Sequence, residues 1–202
     1  MGERLKKCDA DQVKENLGEG LSEAAQTVIG PLLKSVEGLS QQIGVYDEKI
    51  AAIAKRYPET ELLTQVYGVG TLIALTYILT LEDAERFEHS RDVGPFLGLK
   101  PKERDSGDSH PQLGITKTGD GLLRSLLVQG AHCMLRQKAP ESDLRAWGLA
   151  KMKSGGKNAK KRAVVAVARK LAVLLHALWS RGEVYDPHYN RKAAKGKGQI
   201  AA

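Results

Sequence analysis

Apolar residues recur at alternating intervals of three and four positions between Ile29 and Tyr57. This spacing is the heptad seam of a coiled coil, so we predict a coiled-coil helix over residues 29–57. Pro31 fits the first turn, where a missing N–H is harmless, and Pro58 is expected to end the helix. The pattern leaves open whether the seam packs on the rest of the chain or on a partner helix, in the same chain or another. The seam comprises Ile29, Leu32, Val36, Leu39, Ile43, Tyr46, Ile50, Ile53 and Tyr57.

Shorter helical patterns follow over residues 58–188. The predicted fold class is mainly α: a long coiled-coil helix followed by a helical domain that contains a helix-hairpin-helix and a long polar active-site loop. The pattern leaves short strands on either side of that loop open. The chain begins with a weakly patterned segment, residues 1–28, and ends in a basic tail, residues 189–202, whose composition predicts disorder.

Capping signals mark three helices of this domain. They are Asp120 before the first helix, Pro140 and Ser142 before the second, and Arg181 with Gly182 after the third, which is long and apolar. In the first of these helices, four leucines are expected to face the core: Leu122, Leu123, Leu126 and Leu127.

Gly68, Val69 and Gly70 lie between two short apolar helical stretches. Two glycines let the backbone turn tightly and expose N–H groups at the start of the next helix, where free donors and the helix dipole attract phosphate. The arrangement is typical of a helix-hairpin-helix that grips a nucleic-acid backbone. An ordinary turn between two helices has a similar sequence.

Residues 98–119 form a polar loop with two prolines and four glycines. A loop of this length in a compact domain is usually functional or disordered. It carries the pair Ser106-Gly107, with Lys102, Arg104 and Lys117 nearby in sequence. Cations suit a phosphate target, because they stabilise the charge that develops when a serine attacks a phosphodiester. By spacing alone, an ordinary Ser-Gly turn is the stronger interpretation.

Basic residues are concentrated in the C-terminal quarter of the chain. Residues 151–202 contain 13 Lys and Arg against 2 Asp and Glu. Such asymmetry is typical of a protein that binds a polyanion, most often nucleic acid, although a solvated tail has the same composition. The residues expected to contact DNA phosphates are Lys102 and Arg104 in the loop and Lys157, Lys160, Lys161 and Arg162 in the basic stretch.

The remaining composition points to a soluble, cytoplasmic protein without a membrane partner. Cys8 and Cys133 have neither metal-ligand spacing nor a disulfide framework. The first residues lack the apolar core of a signal peptide, and we expect no apolar run close to the ~20 residues that span a bilayer. His132 and His176 lie within apolar helices and are expected to be packed or partly buried. Trp147 and Trp179 are expected to lie in the core in preference to acting as platforms for base stacking.

Several of these motifs, taken in order, resemble a known family. They are "VYGVGTLIALTYI", "RFEHSRDVGPFLGLKP", "SG", "ITKTGDGLLRSLLVQGA" and "KKRAVVAVARKLAVLLHALWSRGEVYDP". Each motif is weak, but their shared order closely resembles the C-terminal part of the IS-one-ten family. These are insertion-sequence transposases of the DEDD type, and some of them are guided by a bridge RNA. The resemblance covers roughly residues 29–187.

The resemblance implies roles for individual residues. The family's recombinase serine corresponds to Ser106, which would attack a DNA phosphate. The K-x-G motif corresponds to Lys117 and Gly119, and the helix arginine corresponds to Arg124. Lys117 and Arg124 would act with that serine at the catalytic site. The hairpin glycines correspond to Gly68 and Gly70. The heptad segment corresponds to the coiled coil that joins the family's two catalytic parts and supports oligomers.

The family also has a RuvC-like domain, an α/β fold whose four acidic residues bind divalent metal. Residues 1–28 have no strand pattern that could mount such residues. We therefore expect this chain to bind no metal itself, and Mg²⁺ to enter only with a separate RuvC-like part. The chain then resembles a truncated or split copy that works as a homo-oligomer or with a RuvC-like half. The partners implied are transposon ends, target DNA and, as in some members, a guide RNA.

Three functions are compatible with the sequence. The first is a transposase part with a serine nucleophile, which the Ser-Gly pair and the K-x-G motif favour. The second is a non-catalytic remnant or regulator that binds DNA or RNA, which the missing acidic domain favours. The third is a helix-hairpin-helix protein of DNA repair or recombination that uses Gly68 and Gly70 only to hold duplex DNA.

Overall fold

The computed structural model of the chain describes residues 23–102, 113–153, 155–156 and 158–190. The chain divides into two compact units, the first ending at Ile53 and the second beginning at Ala54. Three of the predicted site residues lie outside the described part of the chain: Arg104, Ser106 and Lys157.

Helix α1, Glu23–Ala54, is the described element of the first unit. It begins about two turns before Pro31, so the prediction that this proline lies in the first turn is wrong. The helix also ends at Ala54 and does not reach Tyr57. Most seam side chains are solvent-exposed, as shown by Leu39 and Ile43, each with 60% of its surface accessible.

The described residues of the second unit form six helices. These are α2 (Glu59–Thr64), α3 (Thr71–Leu81), α4 (Val93–Phe96), α5 (Gly121–Met134), α6 (Asp143–Lys153) and α7 (Ala159–Arg181), with 3₁₀ turns at Ala84–Arg86 and Ser90–Asp92. The predicted mainly-α class is confirmed. Among the described residues, the β pairing consists of an isolated antiparallel bridge between Pro101 and Ile115.

Helix α7 is the central element of this unit and packs against α2, α4, α5 and α6. Val167, Leu171 and Leu175 on its inner face are completely buried. Burying a side chain of this size contributes about 2 kcal/mol through the hydrophobic effect. The helix ends where Gly182 adopts a left-handed conformation, as the sequence predicted.

Contrary to our expectation, α7 is long and apolar enough to cross a bilayer by length and composition. However, half of the most apolar 18-residue stretch of this helix is buried inside the fold. The burial of α7 in the core accounts for its apolar composition.

Two buried polar side chains tie α7 to the segments around it. Tyr77 is fully buried on α3 and donates its hydroxyl to the Ala172 carbonyl at 2.7 Å. Burial raises the pKa of the Tyr77 hydroxyl well above 10.0. The ring nitrogens of His176 bond the Ser90 hydroxyl and the Ala84 carbonyl, each at 2.9 Å. The prediction that His176 is packed is therefore confirmed.

Local capping signals were reliable, but some side-chain directions were not. The Asp120 carboxylate accepts the Leu123 N–H at 2.6 Å and so caps α5. The Ser142 hydroxyl similarly accepts the Arg145 N–H at 3.1 Å at the start of α6. The predicted core positions of Leu122 and His132 are wrong, because both side chains lie on the solvent side of α5.

Candidate functional site

The loop that contains Ser106 is closed at its base by two backbone arms that pair with each other. The Lys102 N–H donates to the Gly114 carbonyl, and the Thr116 N–H donates to the Lys100 carbonyl, each at 2.9 Å. We call residues 97–102 and 113–119 the loop neck. This pairing holds Lys102 and Gly114 side by side, and the candidate nucleophile Ser106 lies between these two positions in the sequence, outside the described residues.

The lower end of the neck is a close crossing of two backbone segments. Gly98 and Gly119 have left-handed φ values of +67° and +72°. A Cβ atom on Gly98 would lie 2.2 Å from the Thr118 carbonyl oxygen, and one on Gly119 would lie 2.1 Å from the Phe96 carbonyl oxygen. Both the conformation and the contact therefore require glycine. The only sequence signal for this crossing was that a glycine bounds the loop at each end.

Arg124 joins the neck to helix α5. Its Nη1 group donates to the Thr118 carbonyl at 2.9 Å and to the Leu97 carbonyl at 3.2 Å, which lie on opposite arms of the neck. A guanidinium can bond two carbonyls in this way because its N–H groups form a rigid fork. The geometry thus gives Arg124 a positioning role at the base of the loop.

Lys117 also contributes to the neck through its backbone. It has a left-handed φ of +60°, which is unusual for a residue with a side chain, and its N–H donates to the Gly98 carbonyl at 3.1 Å. Its side chain is exposed, as is that of Lys102 on the other arm. Two predicted phosphate contacts therefore flank the Ser106 segment from the two arms of the neck.

The predicted hairpin lies between α2 and α3, and its two glycines differ in surroundings. Gly68 has a φ of +89° and packs on α5, where an added Cβ would lie 2.7 Å from the Gly130 carbonyl oxygen. Gly70 is exposed, caps α3 without a side-chain hydrogen bond and has open space around it. Val69, between them, is buried. Gly68 is thus a packing residue, whereas Gly70 leaves the start of α3 open to an anion.

This difference predicts opposite effects of alanine at the two glycines. Gly68→Ala should lower the free energy of unfolding by about 2 kcal/mol or more, because the new methyl group meets backbone in a left-handed conformation. Gly70→Ala should change stability by no more than about 1 kcal/mol. Urea unfolding followed by circular dichroism measures both values, and equal stability of the two variants would contradict the packing role of Gly68.

The starts of α5 and α7 differ in charge. The Asp120 carboxylate caps the N-terminus of α5, so this helix end is unfavourable for a phosphate. Helix α7 begins after Asn158, which makes no side-chain capping hydrogen bond. Its first turn presents Lys160, Lys161 and Arg162, all exposed. Cations at a helix N-terminus oppose the helix dipole, so this arrangement is typical of an anion-binding surface.

The prediction that Trp147 and Trp179 lie in the core is wrong, because both are half-buried and pack against the core from outside. Trp147 lines a groove beside α7. Trp179 is also half-buried and contacts the Tyr77 ring edge-on, with ring centroids 6.5 Å apart. Among the described residues, no group of three or more His, Cys, Asp or Glu side chains is arranged to hold a metal ion.

Comparisons with known proteins agree with these features. Residues 60–146, which include the hairpin, the whole loop and α5, match the model of the Transposase IS116/IS110/IS902 family. The chain is 34% identical over 167 residues to the transposase for insertion sequence element IS1111A of Coxiella burnetii, a match that covers 82% of this chain and 45% of that protein. It is 31% identical over 166 residues to a probable family 20 transposase of Pseudomonas aeruginosa, covering 79% and 48%.

A third relative is the transposase for insertion sequence element IS1328 of Yersinia enterocolitica, which is 28% identical over 163 residues, or 77% of this chain and 48% of that protein. The chain spans about half the length of these curated relatives. The family match and the relatives confirm the resemblance seen in the sequence motifs. The chain belongs to the IS116/IS110/IS902 family of insertion-sequence transposases and represents its C-terminal part.

Proposed function

We propose that this chain is the strand-transfer part of an insertion-sequence transposase, in which Ser106 attacks a DNA phosphate. The observation that carries this proposal is the loop neck. Paired arms, two glycines in backbone contact and the Arg124 bonds fix the base of a segment that contains a Ser-Gly pair. A turn without function would not need so constrained a base, whereas a nucleophile must be held in one position.

The proposed step exchanges one phosphoester bond for another. The Ser106 Oγ forms a bond to phosphorus while the bond from phosphorus to a deoxyribose oxygen breaks. The serine proton passes to a carboxylate, either Asp105, Asp108 or an acidic residue of a RuvC-like part, and the leaving deoxyribose oxygen takes up a proton. The resulting phosphoserine ester conserves the bond energy for rejoining.

The exposed lysines of the neck have a matching role. Lys102 and Lys117 flank the Ser106 segment and would stabilise the negative charge that develops on the phosphoryl oxygens. Arg124 would act through the neck, because its Nη1 group is already bonded to two carbonyls. We therefore propose Lys117 as a phosphate contact and Arg124 as a positioning residue for Ser106.

Binding of DNA away from the loop is proposed for two surfaces. The uncapped start of α3 at Gly70 offers backbone N–H groups, and the start of α7 offers Lys160, Lys161 and Arg162. We propose that both surfaces contact phosphates without reading bases. A DNA-binding protein of this kind works in the cytoplasm of the cell, beside the chromosome.

We propose that the chain completes its reaction only together with a RuvC-like half. That half would be carried either by a separate polypeptide or by another part of the same polypeptide. That half would supply the acidic residues that bind Mg²⁺, because the described residues of this chain offer no such set. A guide RNA is a further component to be tested in the same assembly.

The test is to trap and map the covalent intermediate. The chain is mixed with a RuvC-like half from a relative, Mg²⁺, transposon-end DNA and any guide RNA, and adducts are resolved on a denaturing gel. Trypsin cleaves after Arg104 and Lys117, so the peptide of residues 105–117 contains both Ser106 and Ser109. Fragmentation by mass spectrometry should locate the nucleotide on Ser106. DNA binding without any adduct would instead support the non-catalytic remnant, and an adduct on another residue would overturn the assignment.

The basic start of α7 gives a prediction about salt dependence. Replacing Lys160 and Lys161 by Gln should reduce the slope of log affinity against log salt by about two units, roughly one for each lysine that no longer neutralises a phosphate. The same variant should be slightly more stable to urea, because two cations that oppose the helix dipole are removed. Gln at Lys34 and Lys49, two exposed positions on α1, is the matched control. An unchanged slope in the α7 variant would exclude this helix start from the interface.

The exposed seam of α1 leads us to propose that the chain self-associates through a coiled coil. Leu39 and Ile43 lie four positions apart in the sequence, and both are 60% exposed. Replacing both by Asp would place charges in the seam, so the double variant should fall to the monomer mass in light scattering. Val45→Asp is the control, because Val45 is also exposed on α1 but lies off the seam. If the double variant keeps the mass of the wild type, the seam does not mediate self-association.

A further inference from the structure

A groove of about 780 Å³ runs beside α7 and has no part in the function proposed above. One wall is a single face of α7, with lining residues every three or four positions from Ala166 to Arg181. This wall is about 22 Å long at the rise of an α-helix. The other wall combines α6 with the chain segment that follows α7, and Pro101 of the loop neck also contributes to the lining.

The groove is lined by a tryptophan side chain that has two lysine ammonium groups close to its ring. Trp147 projects from α6, with the Lys170 Nζ 4.4 Å and the Lys151 Nζ 5.6 Å from the centre of its ring. Lys170 is exposed, and Lys151 lies one helical turn after Trp147. Both ammonium groups lie over the ring as cation–π contacts, so a base can stack on Trp147 when these lysines exchange the ring for the phosphates of a bound strand.

The groove is lined by both acidic and basic side chains. The acidic side chains make contacts that hold the C-terminal segment: Glu183 lies 3.8 Å from Arg181, and Asp186 accepts the His188 N–H at 2.9 Å. Asp143, at the start of α6, accepts the Asn190 N–H at 2.8 Å. The four lining cations (Lys151, Arg169, Lys170 and Arg181) outnumber these three carboxylates, which favours an anionic ligand.

We propose that this groove binds a single DNA strand, with a base stacked on Trp147 and phosphates beside Lys151 and Lys170. The inference rests on the proposed function, because it takes the bound strand to be the one that Ser106 cleaves. Pro101 lines the groove and also pairs with Ile115 in the neck, so the groove reaches the base of the Ser106 loop. A strand bound here is led to the nucleophile. A duplex would not fit this role, because its bases are stacked on each other and present no free face.

The test follows both tryptophan fluorescence and the anisotropy of a dye-labelled oligodeoxythymidine of about a dozen nucleotides as the oligonucleotide and the full chain are mixed, so that the affinity of every variant can be measured. Quenching is expected, and Trp147→Leu should weaken binding by at least about fivefold, the factor that corresponds to loss of one stacked base. Lys170→Gln should reduce the salt slope by about 0.7, the value for one phosphate contact of a single strand. Lys49→Gln is the matched control, because Lys49 also lies over an exposed aromatic ring, that of Tyr46 at 5.5 Å.

Several results would overturn the proposal. One is an unchanged affinity and salt slope in both Trp147→Leu and Lys170→Gln. Because Lys170 is exposed, its substitution should not affect folding, so this result is decisive even if Trp147→Leu is less stable. Another is Trp147-dependent quenching by oligouridine with none by oligodeoxythymidine, which would assign the groove to RNA. A third is equal quenching by duplex DNA.

The measurement involves no cleavage and is repeated in Ser106→Ala. If the covalent adduct is never found but the strand still binds at Trp147, the nucleophile proposal fails and the groove stands. If the adduct forms on Ser106 but groove variants bind the strand normally, the groove proposal fails and the nucleophile stands.

Discussion

Ser106→Ala should abolish the covalent protein–DNA adduct and slow strand transfer by about three orders of magnitude or more, while DNA affinity changes little. The reason is that the substitution removes the only atom proposed to bond to phosphorus. The surfaces proposed to hold DNA, at Gly70 and at the start of α7, are built from other parts of the chain. The measurement combines the adduct assay with a binding isotherm on the same DNA.

Ser109→Ala is the matched control, because it removes a second serine hydroxyl from the same loop. It should form the adduct at a rate within a few-fold of wild type. An adduct that survives Ser106→Ala would end the assignment of the nucleophile. Loss of DNA binding in Ser106→Ala, with a normal unfolding curve, would make this serine a binding residue in place of a nucleophile.

The parts of the fold that the sequence predicted well depend on local signals. Asp120, Ser142 and Gly182 act on the N–H and carbonyl groups of their own helix ends, so each cap could be recognised from a few neighbouring letters. The mainly-α class follows from the same local patterns. The ends of α1 were predicted less well, since Pro31 is tolerated inside a long helix.

The errors concern side chains whose environment is set by distant parts of the chain. Leu122 and His132 belong to an apolar helix, but α7 and α3 pack on the opposite side of α5 and leave both in solvent. Trp147 lines a groove because the segment after α7 returns alongside α6, where the Asp143 N–H donates to the Pro187 carbonyl at 2.7 Å. No pattern within one helix contains this information.

The candidate site shows the same division. The Ser-Gly pair, the cations and the hairpin glycines could be identified in the sequence, and the family motifs gave them proposed roles. The bonds from Arg124 to the Leu97 and Thr118 carbonyls could not, because they join residues 27 and 6 positions apart in sequence. A sequence shows that an arginine is present, but not which carbonyls the fold leaves for it.

The neck leads to the second large effect. Gly119→Ala should either lower the free energy of unfolding by about 3 kcal/mol or open the neck completely. In both cases we expect no adduct to form, although Ser106 itself is unchanged. Its Cβ would lie 2.1 Å from the Phe96 carbonyl oxygen, far inside van der Waals contact, and the φ of +72° disfavours any side chain. Because the atom that the new Cβ meets belongs to the backbone, no side-chain rotation can relieve the clash.

Gly114→Ala is the control for this experiment, since Gly114 lies on the same arm of the neck and has no atom within 4 Å of an added Cβ. It should stay within about 0.5 kcal/mol of wild type and form the adduct normally. Hydrogen exchange separates the two ways in which Gly119→Ala can act. If only the neck opens, the Lys102 and Thr116 N–H groups lose protection while those in the core of α7 keep it. If the whole second unit is destabilised, protection falls in both places. A Gly119→Ala variant with normal stability and a normal adduct would show that the neck does not position Ser106.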